Sequence, residues 1–418
     1  MLKLGEVAMN MLDEAARHSE SGPGVTRLFL TDQHKQITIA VQKWMQEAGM
    51  EAKLDAAGTV VGRVQAKSAD SPVLILGSHV DSVPHGGKFD GMLGVVLPIV
   101  CMGQLRSQGI SLPYTVEIAA FGDEEGVRFP TTLLGSRAFA GLVVNDDLGI
   151  KDEAGVNLSE ALERFGCDPA ALPSLARDPS KILGFVEVHI EQGPVLEEAG
   201  QPLGTVTAIA GIERHALTFR GKPGHAGTTP MTARQDALVG ASEFILNVNE
   251  LCRSTEDIIG TVGTISARPN SINVIPETVH LGLELRSPYR TKRLAARREI
   301  SAIAERIART RELSLEFDLT YERNGINCAP RLVDALSSAI GRSGYEPVHL
   351  HSGAGHDGLA MCSLCDVGML FVRCRNGLSH HPDEAATEED INAACLVLLD
   401  FLKNFSSDDS IFHRSPLA

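Results

Sequence analysis

The sequence predicts an α/β fold in two domains: a mixed, largely parallel sheet with flanking helices, interrupted by a smaller α+β domain. Three observations carry this. A chain of 418 residues exceeds what one simple core accommodates, so two domains are the natural reading. Strand and helix patterns alternate through the first half, as in βαβ units. Near Gly204 the pattern changes to alternating strands separated by two long helices, and after Asn327 the α/β pattern resumes. The larger domain is therefore discontinuous, with its first part at 1–208, the inserted domain at 209–325 and its second part at 326–418.

In chain order, residues 1–17 read as an amphipathic helix carrying acids, and 32–48 as a helix with Ile37, Ala40, Val41, Trp44 and Met45 on one side. Val73, Leu74, Ile75 and Leu76 form a short apolar run of the buried-strand type. An apolar helix over 92–105 and strands over 114–121 and 184–189 follow. Residues 145–180 are more polar, carry two Asp-Pro pairs, and read as a surface excursion with one short helix over 158–165. After Gly204, strands are expected over 205–209, 215–220, 259–267, 279–286 and 314–321, with helices over 234–252 and 291–311. The second of these helices is rich in arginine. Ile300, Ile303 and Ile307 supply its core stripe, and its charges read as a solvated face. A helix over 332–341, a strand over 368–372 and a terminal helix over 388–402 complete the chain.

A formal charge of −15 argues against nucleic-acid binding and against an anionic membrane surface. No apolar run is long enough for a transmembrane helix. The N-terminus lacks the regions of a signal peptide, and the eight cysteines are scattered, so a reducing cytoplasm is expected. Cys362 and Cys365 form a lone CxxC in apolar surroundings and read as two buried thiols on one helical turn. An acidic chain that binds an anion must build a local positive site, from metal or from arginine.

The segment Gly77-Ser78-His79-Val80-Asp81 opens a Gly-rich loop after an apolar strand, and Asp90-Gly91 follows it. Imidazole and carboxylate hold zinc-type ions, and a carboxylate two residues from a histidine can orient its ring. A single histidine at a strand end is more often structural. Here three further segments share the placement: Gly122-Asp123-Glu124-Glu125-Gly126, Val188-His189-Ile190-Glu191-Gln192-Gly193, and Ser379-His380-His381-Pro382. Two metal ions about 3.5–4 Å apart need a bridging carboxylate and further ligands on each side. His79, Asp90, Glu125, His189 and His380 offer that set, and Glu124 is left beside it to move protons.

Six motifs make the chain recognisable: GSHVDSVPHGGKFDGMLGV at 77–95, DEEGVRFP at 123–130, HIEQGPVLE at 189–197, GHAGTTPM at 224–231, NSINVIP at 270–276 and SGAGHDG at 352–358. Over essentially its whole length the chain resembles the zinc-dependent amidohydrolases of the hydantoinase/carbamoylase type, relatives of the aminoacylase and carboxypeptidase-like metallopeptidases. HIEQGPVLE and HAGTTPM together are specific to that subgroup. One departure is Gly58-Thr59, where relatives commonly carry Gly-Asn.

The resemblance implies roles. His79, Asp90 and His189 would hold one divalent ion, and Asp90, as bridge, with Glu125 and His380 would hold the other. Zinc is expected first, though such ligands also admit manganese, cobalt or nickel. Asp81 would orient His79, and Glu124 would be the general base. The larger domain would be catalytic and the inserted one a lid that also makes a homodimer. His225, from the lid of the same or the partner subunit, would stabilise the oxyanion. Asn273 and Arg286 would bind the substrate carboxylate, for which the planar arginine fork is suited. Gln192 and the loop from Gly353 to His356 would contact the carbamoyl or acyl end. His215 is a candidate for either the substrate pocket or packing. His380 is preferred to its neighbour His381 as ligand, and His85, His349 and His351 are left as non-ligands.

The implied substrate is a small carboxylate bearing a ureido group: an N-carbamoyl-L-amino acid, or alternatively allantoate. An aminopeptidase or dipeptidase on the same metal core is disfavoured by HIEQG and HAGTTPM. A non-enzymatic module would require loss of a ligand or of the base, and none is missing.

Overall fold

The computed structural model describes residues 3–406. The chain forms two compact units. The first comprises the chain up to Thr207, Cys328–Leu350 and the described residues from His356 on; the second comprises Ala208–Asn327 and His351–Gly355. The short return at His351–Gly355 has no periodicity of its own, so sequence patterns do not assign it to the inserted unit.

Thirteen strands are described: β1 (Glu51–Leu54), β2 (Val60–Val64), β3 (Val73–His79), β4 (Thr115–Phe121), β5 (Ile182–Ile190), β6 (Leu203–Ile209), β7 (Gly211–Arg220), β8 (Ile259–Arg268), β9 (Thr278–Ser287), β10 (Ser314–Arg323), β11 (Ile326–Asn327), β12 (Val348–Ser352) and β13 (Val367–Val372). The sheet of the first unit runs in the order β1-β2-β4-β3-β5-β13-β6, with β12 also pairing to β6. Its centre, β4-β3-β5-β13, is parallel, and antiparallel pairs close both flanks. These four central strands are buried along their whole length, which is why they read as unbroken apolar runs. The helix Met92–Ser107 is apolar on nearly every side and packs against β3 and β5 beneath the helices Leu4–Ala16 and Glu388–Asn404. Among the described residues no helix is long and apolar enough to cross a membrane.

Register places the chemistry. His79 pairs with Phe121 across β3 and β4, and His189 with Phe371 across β5 and β13. The carboxyl ends of the parallel strands therefore finish together, and their loops leave the sheet at one end, where open α/β sheets collect ligands. Gly91 takes a left-handed φ of 66° and passes the His79 ring so closely that a Cβ would come within 2.5 Å of it.

The 145–180 segment is more than the surface excursion its polarity suggests. Leu158, Ala161, Leu162, Phe165 and Leu172 bury a satellite core with Phe29, Leu30, Phe129 and Leu134. The helix Leu158–Phe165 presents that face through its i, i+3, i+4, i+7 spacing, and Asn157 caps it by accepting from the Glu160 N–H at 2.8 Å.

His34 lies against this cluster, between the rings of Phe29 and Phe165, and its Nδ1 accepts from the Leu30 N–H at 3.0 Å. Burial, helped by Arg27 and Arg128, lowers its pKa to about 3. The group is thus neutral when folded and takes up a proton on unfolding, with an ordinary pKa of about 6.5. Its contribution to stability is full above about pH 6.5 and is lost as the pH falls towards about 3, at ~1.4 kcal/mol per unit. His34→Gln keeps an acceptor for Leu30, and is expected to lose that one-proton component from urea midpoints compared at about pH 7 and pH 5.

In the second unit the sheet order is β10-β7-β9-β8, antiparallel throughout. The helices Ala237–Ser254 and Arg290–Thr310 enclose a core with it that includes Leu217, Phe219, Phe244, Leu283, Ile300 and Ile307. One arginine departs from the expected solvated face of the second helix. Arg293 is fully buried: its Nε donates to Glu213 Oε1 at 2.9 Å and an Nη2 donates to Asn324 Oδ1 at 3.1 Å. Glu213 projects to the buried side of β7, and an unpaired guanidinium there would cost several kcal/mol. Arg309 on the same helix keeps the solvated reading, 73% exposed beside Glu305.

Candidate metal centre

The ends of the four parallel strands and the loops after them bring their ligand-type residues together in the first unit. The bridge is Asp90. Its Oδ1 lies 3.3 Å from His79 Nε2 and 3.3 Å from His189 Nε2, and its Oδ2 lies 3.5 Å from His380 Nε2. Glu125 Oε1 is 3.5 Å from the same His380 nitrogen. Three groups of donors result, each with its ligand atoms within 4.8 Å of one another: His79, Asp90 and His189; Asp90, Glu125 and His380; His79, Glu124 and Glu125. His381 turns elsewhere, its Nδ1 accepting from the Asp383 N–H at 3.1 Å.

Backbone carbonyls set the rings. His79 Nδ1 lies 3.0 Å from the Asp81 carbonyl oxygen, and His189 Nδ1 lies 2.8 Å from that of Ile190. A carbonyl accepts only, so these contacts assign the proton to Nδ1 and leave Nε2 facing Asp90, as metal-ligating histidines require. Asp81 therefore acts differently from expectation. Its carbonyl, not its carboxylate, holds His79, and the carboxylate is 3.8 Å from Nδ1. The carboxylate instead accepts the N–H groups of Glu124 and Glu125, each at 3.2 Å, and so fixes the loop that carries both.

Charge in the cluster fits a cation. Burial and neighbouring Asp90 push the Glu125 carboxyl up to about 8. Burial, with Glu125, Asp357 and Asp81 close by, raises Glu124 well above the usual carboxylate range. Burial also acts to raise Asp90, but His189 and His79 outweigh it and hold that carboxyl well below its ordinary value. Crowded buried acids of this kind are relieved by a divalent ion, whose charge inverts the local balance. Three histidine nitrogens and two carboxylates at one sheet end are a donor set that such ions accept.

The other sequence candidates fall in several places. Gln192 joins the centre: its Nε2 donates to Asp90 Oδ2 at 2.7 Å. His356 is buried beside His189, its ring 4.6 Å from that of His189 and packed also on Phe371. Burial and His189 lower its pKa well below the ordinary value, so it packs there as a neutral ring. In the second unit, Arg286 donates from Nη1 to the Gly353 carbonyl at 2.7 Å and from Nε to Glu284 at 2.7 Å. The His225 and Asn273 loops adjoin, through the His225–Val274 bridge and the Ala226 N–H donated to the Asn273 carbonyl at 3.0 Å. His215 is on the opposite face of the sheet from Arg286. It pairs with Leu283 and packs among Glu213 and Phe317, so strand alternation removes it from the Arg286 row.

Two features had no ligand-type signal in sequence. Ser379 Oγ lies 2.7 Å from Asp90 Oδ2 and 2.8 Å from Glu384 Oε2. Beneath the centre, the buried Glu187 accepts from Ser78 Oγ at 2.7 Å and from the Gly358 N–H at 3.3 Å, tying β5 to β3 and to the His356 loop.

With this sheet and this inserted antiparallel unit, the chain is of the hydrolase class. The description of Peptidase family M20/M25/M40 matches residues 75–404, and the chain belongs to this family. It is 39% identical over 398 residues to an N-carbamoyl-L-amino acid amidohydrolase of Geobacillus stearothermophilus, covering 95% of each chain. It is 37% identical over 432 residues to an allantoate deiminase of Arabidopsis thaliana, covering 96% of this chain and 82% of that one. Among solved structures, an amidase of the hydantoinase/carbamoylase family from Burkholderia multivorans has a TM-score of 0.90 at 34% identity, with 96% and 97% of the two chains covered. The resemblance carried by the six motifs thus holds over the length of the chain.

Proposed function

We propose that this protein is a metal-dependent amidohydrolase that cleaves the terminal carbamoyl (ureido) C–N bond of a small carboxylate, with an N-carbamoyl-L-amino acid as first substrate and allantoate as the alternative. The observation that carries the reading is Asp90 at the meeting point of three histidines, with the Glu124–Glu125 loop pinned beside it. Relatives named for both substrates support the class.

We assign two divalent ions, zinc first, to His79, Asp90 and His189 and to Asp90, Glu125 and His380. Ions held there supply Lewis-acid polarisation of the ureido carbonyl and acidify an attacking water. Glu124 takes the proton of that water and returns it to the leaving nitrogen. One water is consumed, and the products are the freed amine, ammonia and carbon dioxide. His225 is assigned to the developing oxyanion, Asn273 and Arg286 to the substrate carboxylate, and Gln192 with Gly353 to the carbamoyl end.

Arg286→Ala is expected to raise KM for the carboxylate substrate by about 10–100-fold, with kcat changed less, because it removes binding shared by ground and transition states. Arg286→Lys restores only part of this, since an ammonium lacks the bidentate fork. An unchanged KM in Arg286→Ala sinks that assignment.

We also propose a homodimer formed through the inserted unit. Its outer strand β8 leaves Ile259 60% and Ile265 52% exposed along an edge that ends the sheet. Light scattering should give the mass of two chains, and the mass of one would refute it. The eight free cysteines suit the reducing cytoplasm assigned from the sequence. Ammonia release measured across N-carbamoyl-L-amino acids, N-carbamoyl-β-alanine, ureidoglycolate and allantoate, with added zinc or manganese, tests the function. The highest kcat/KM on an N-carbamoyl-L-amino acid supports the first substrate, and the highest on allantoate moves the assignment to the alternative. Release from none of them refutes the proposal.

A further inference from the structure

We infer that Glu384 is a positioning residue of the metal centre, fixing the loop that carries the bridging Asp90 to the loop that carries His380. The inference rests on the metal reading above.

Glu384 is 5% exposed and uses both carboxylate oxygens. Oε1 accepts the backbone N–H groups of Phe89 at 2.9 Å and of Asp90 itself at 3.1 Å. Oε2 meets Ser379 Oγ at 2.8 Å, and that hydroxyl lies 2.7 Å from Asp90 Oδ2. One side chain thus grips the backbone of Asp90 on one side and, through Ser379, reaches the Asp90 carboxylate on the other. It does so across 294 residues of sequence, from the loop after β13 to the loop after β3.

The rest of the His380 loop explains why such an anchor is needed. The His380 side chain is 50% exposed and its backbone takes a left-handed φ of 54°, so packing around its own ring does little to hold it. Its Nε2 must nevertheless stay between Asp90 and Glu125. Glu384 offers no oxygen to any of the three donor groups, so its part is to place ligands and not to be one. Its seat is prepared as well. Gly87 lies directly under the carboxylate, and a Cβ there would come within 2.1 Å of Glu384 Cδ. Residues that orient metal ligands through hydrogen bonds are typically worth about 10–100-fold in metal affinity.

The test is zinc affinity of the full-length, metal-stripped protein, measured by competition with a chromophoric chelator, with circular dichroism and thermal melting confirming the fold. Glu384→Ala is expected to bind zinc about 10–100-fold more weakly than wild type. Glu384→Gln should stay within a few-fold, because its amide oxygen still accepts from Phe89 and Asp90 and its amide NH2 can donate to Ser379. Gly87→Ala keeps Glu384 but takes its seat, and should weaken zinc binding like Glu384→Ala. Wild-type affinity in folded Glu384→Ala overturns the inference, as does equal loss in the Gln and Ala variants. If Glu384→Ala does not fold, wild-type affinity in Gly87→Ala overturns it instead. Failure of the wild type itself to bind zinc or manganese overturns the metal reading, and this inference with it.

Discussion

Glu124→Gln is expected to lower kcat by about a thousandfold while leaving bound metal and KM close to wild type. The reason is local. The Glu124 backbone is pinned by the Asp81 carboxylate at 3.2 Å, as is that of Glu125, so the two adjacent side chains leave one fixed stretch of loop in different roles. Glu125 shares Asp90 and His380, whereas Glu124 groups only with His79 and Glu125. Glutamine preserves shape and removes the proton acceptor. Metal content measured beside single-turnover rates separates the two roles: activity lost with metal retained assigns Glu124 to proton transfer. Intact turnover would show that another group takes the proton. Loss of metal along with activity would make Glu124 a ligand.

Asp90→Ala should have the other large effect, removing both halves of the centre at once. Its Oδ1 faces His79 and His189 and its Oδ2 faces His380, so this one residue belongs to both the His79/His189 group and the His380 group. Metal affinity is expected to fall by more than about 100-fold, beyond the range for residues that merely orient a ligand, and ammonia release to reach background. His381→Ala is the matched control, since that ring bonds to its own loop and should change neither quantity. Elemental analysis of the purified variants reads the result directly. Full metal content in Asp90→Ala would remove Asp90 as the bridge.

What the sequence made legible follows from how the fold is written in it. The buried parallel strands β3, β4, β5 and β13 declare themselves as apolar runs, and ligand-type residues just past their ends stand out. β1 and β12 are short and partly exposed, so neither shows as a run. His215 and His356 are residue types that invite a binding role. Strand alternation turns the first onto the buried face of its sheet, and the ring of His189 backs the second. Asp81 lay at the right position, but which of its oxygens meets His79 depends on how the loop turns, and no spacing encodes that. Glu384 was silent for the same reason. Four residues past His380 in a polar loop, it acquires meaning only when the chain returns to place it against Phe89 and Asp90.

The measurement that tests the account most directly is a comparison of kcat/KM for N-carbamoyl-L-amino acids and glycyl dipeptides on the same metal-loaded enzyme, with ammonia and free amino acid both quantified. The account expects ammonia and amino acid in equal amounts from the ureido substrate, and much slower dipeptide cleavage. Faster dipeptide cleavage, or amino acid released without ammonia, would contradict it.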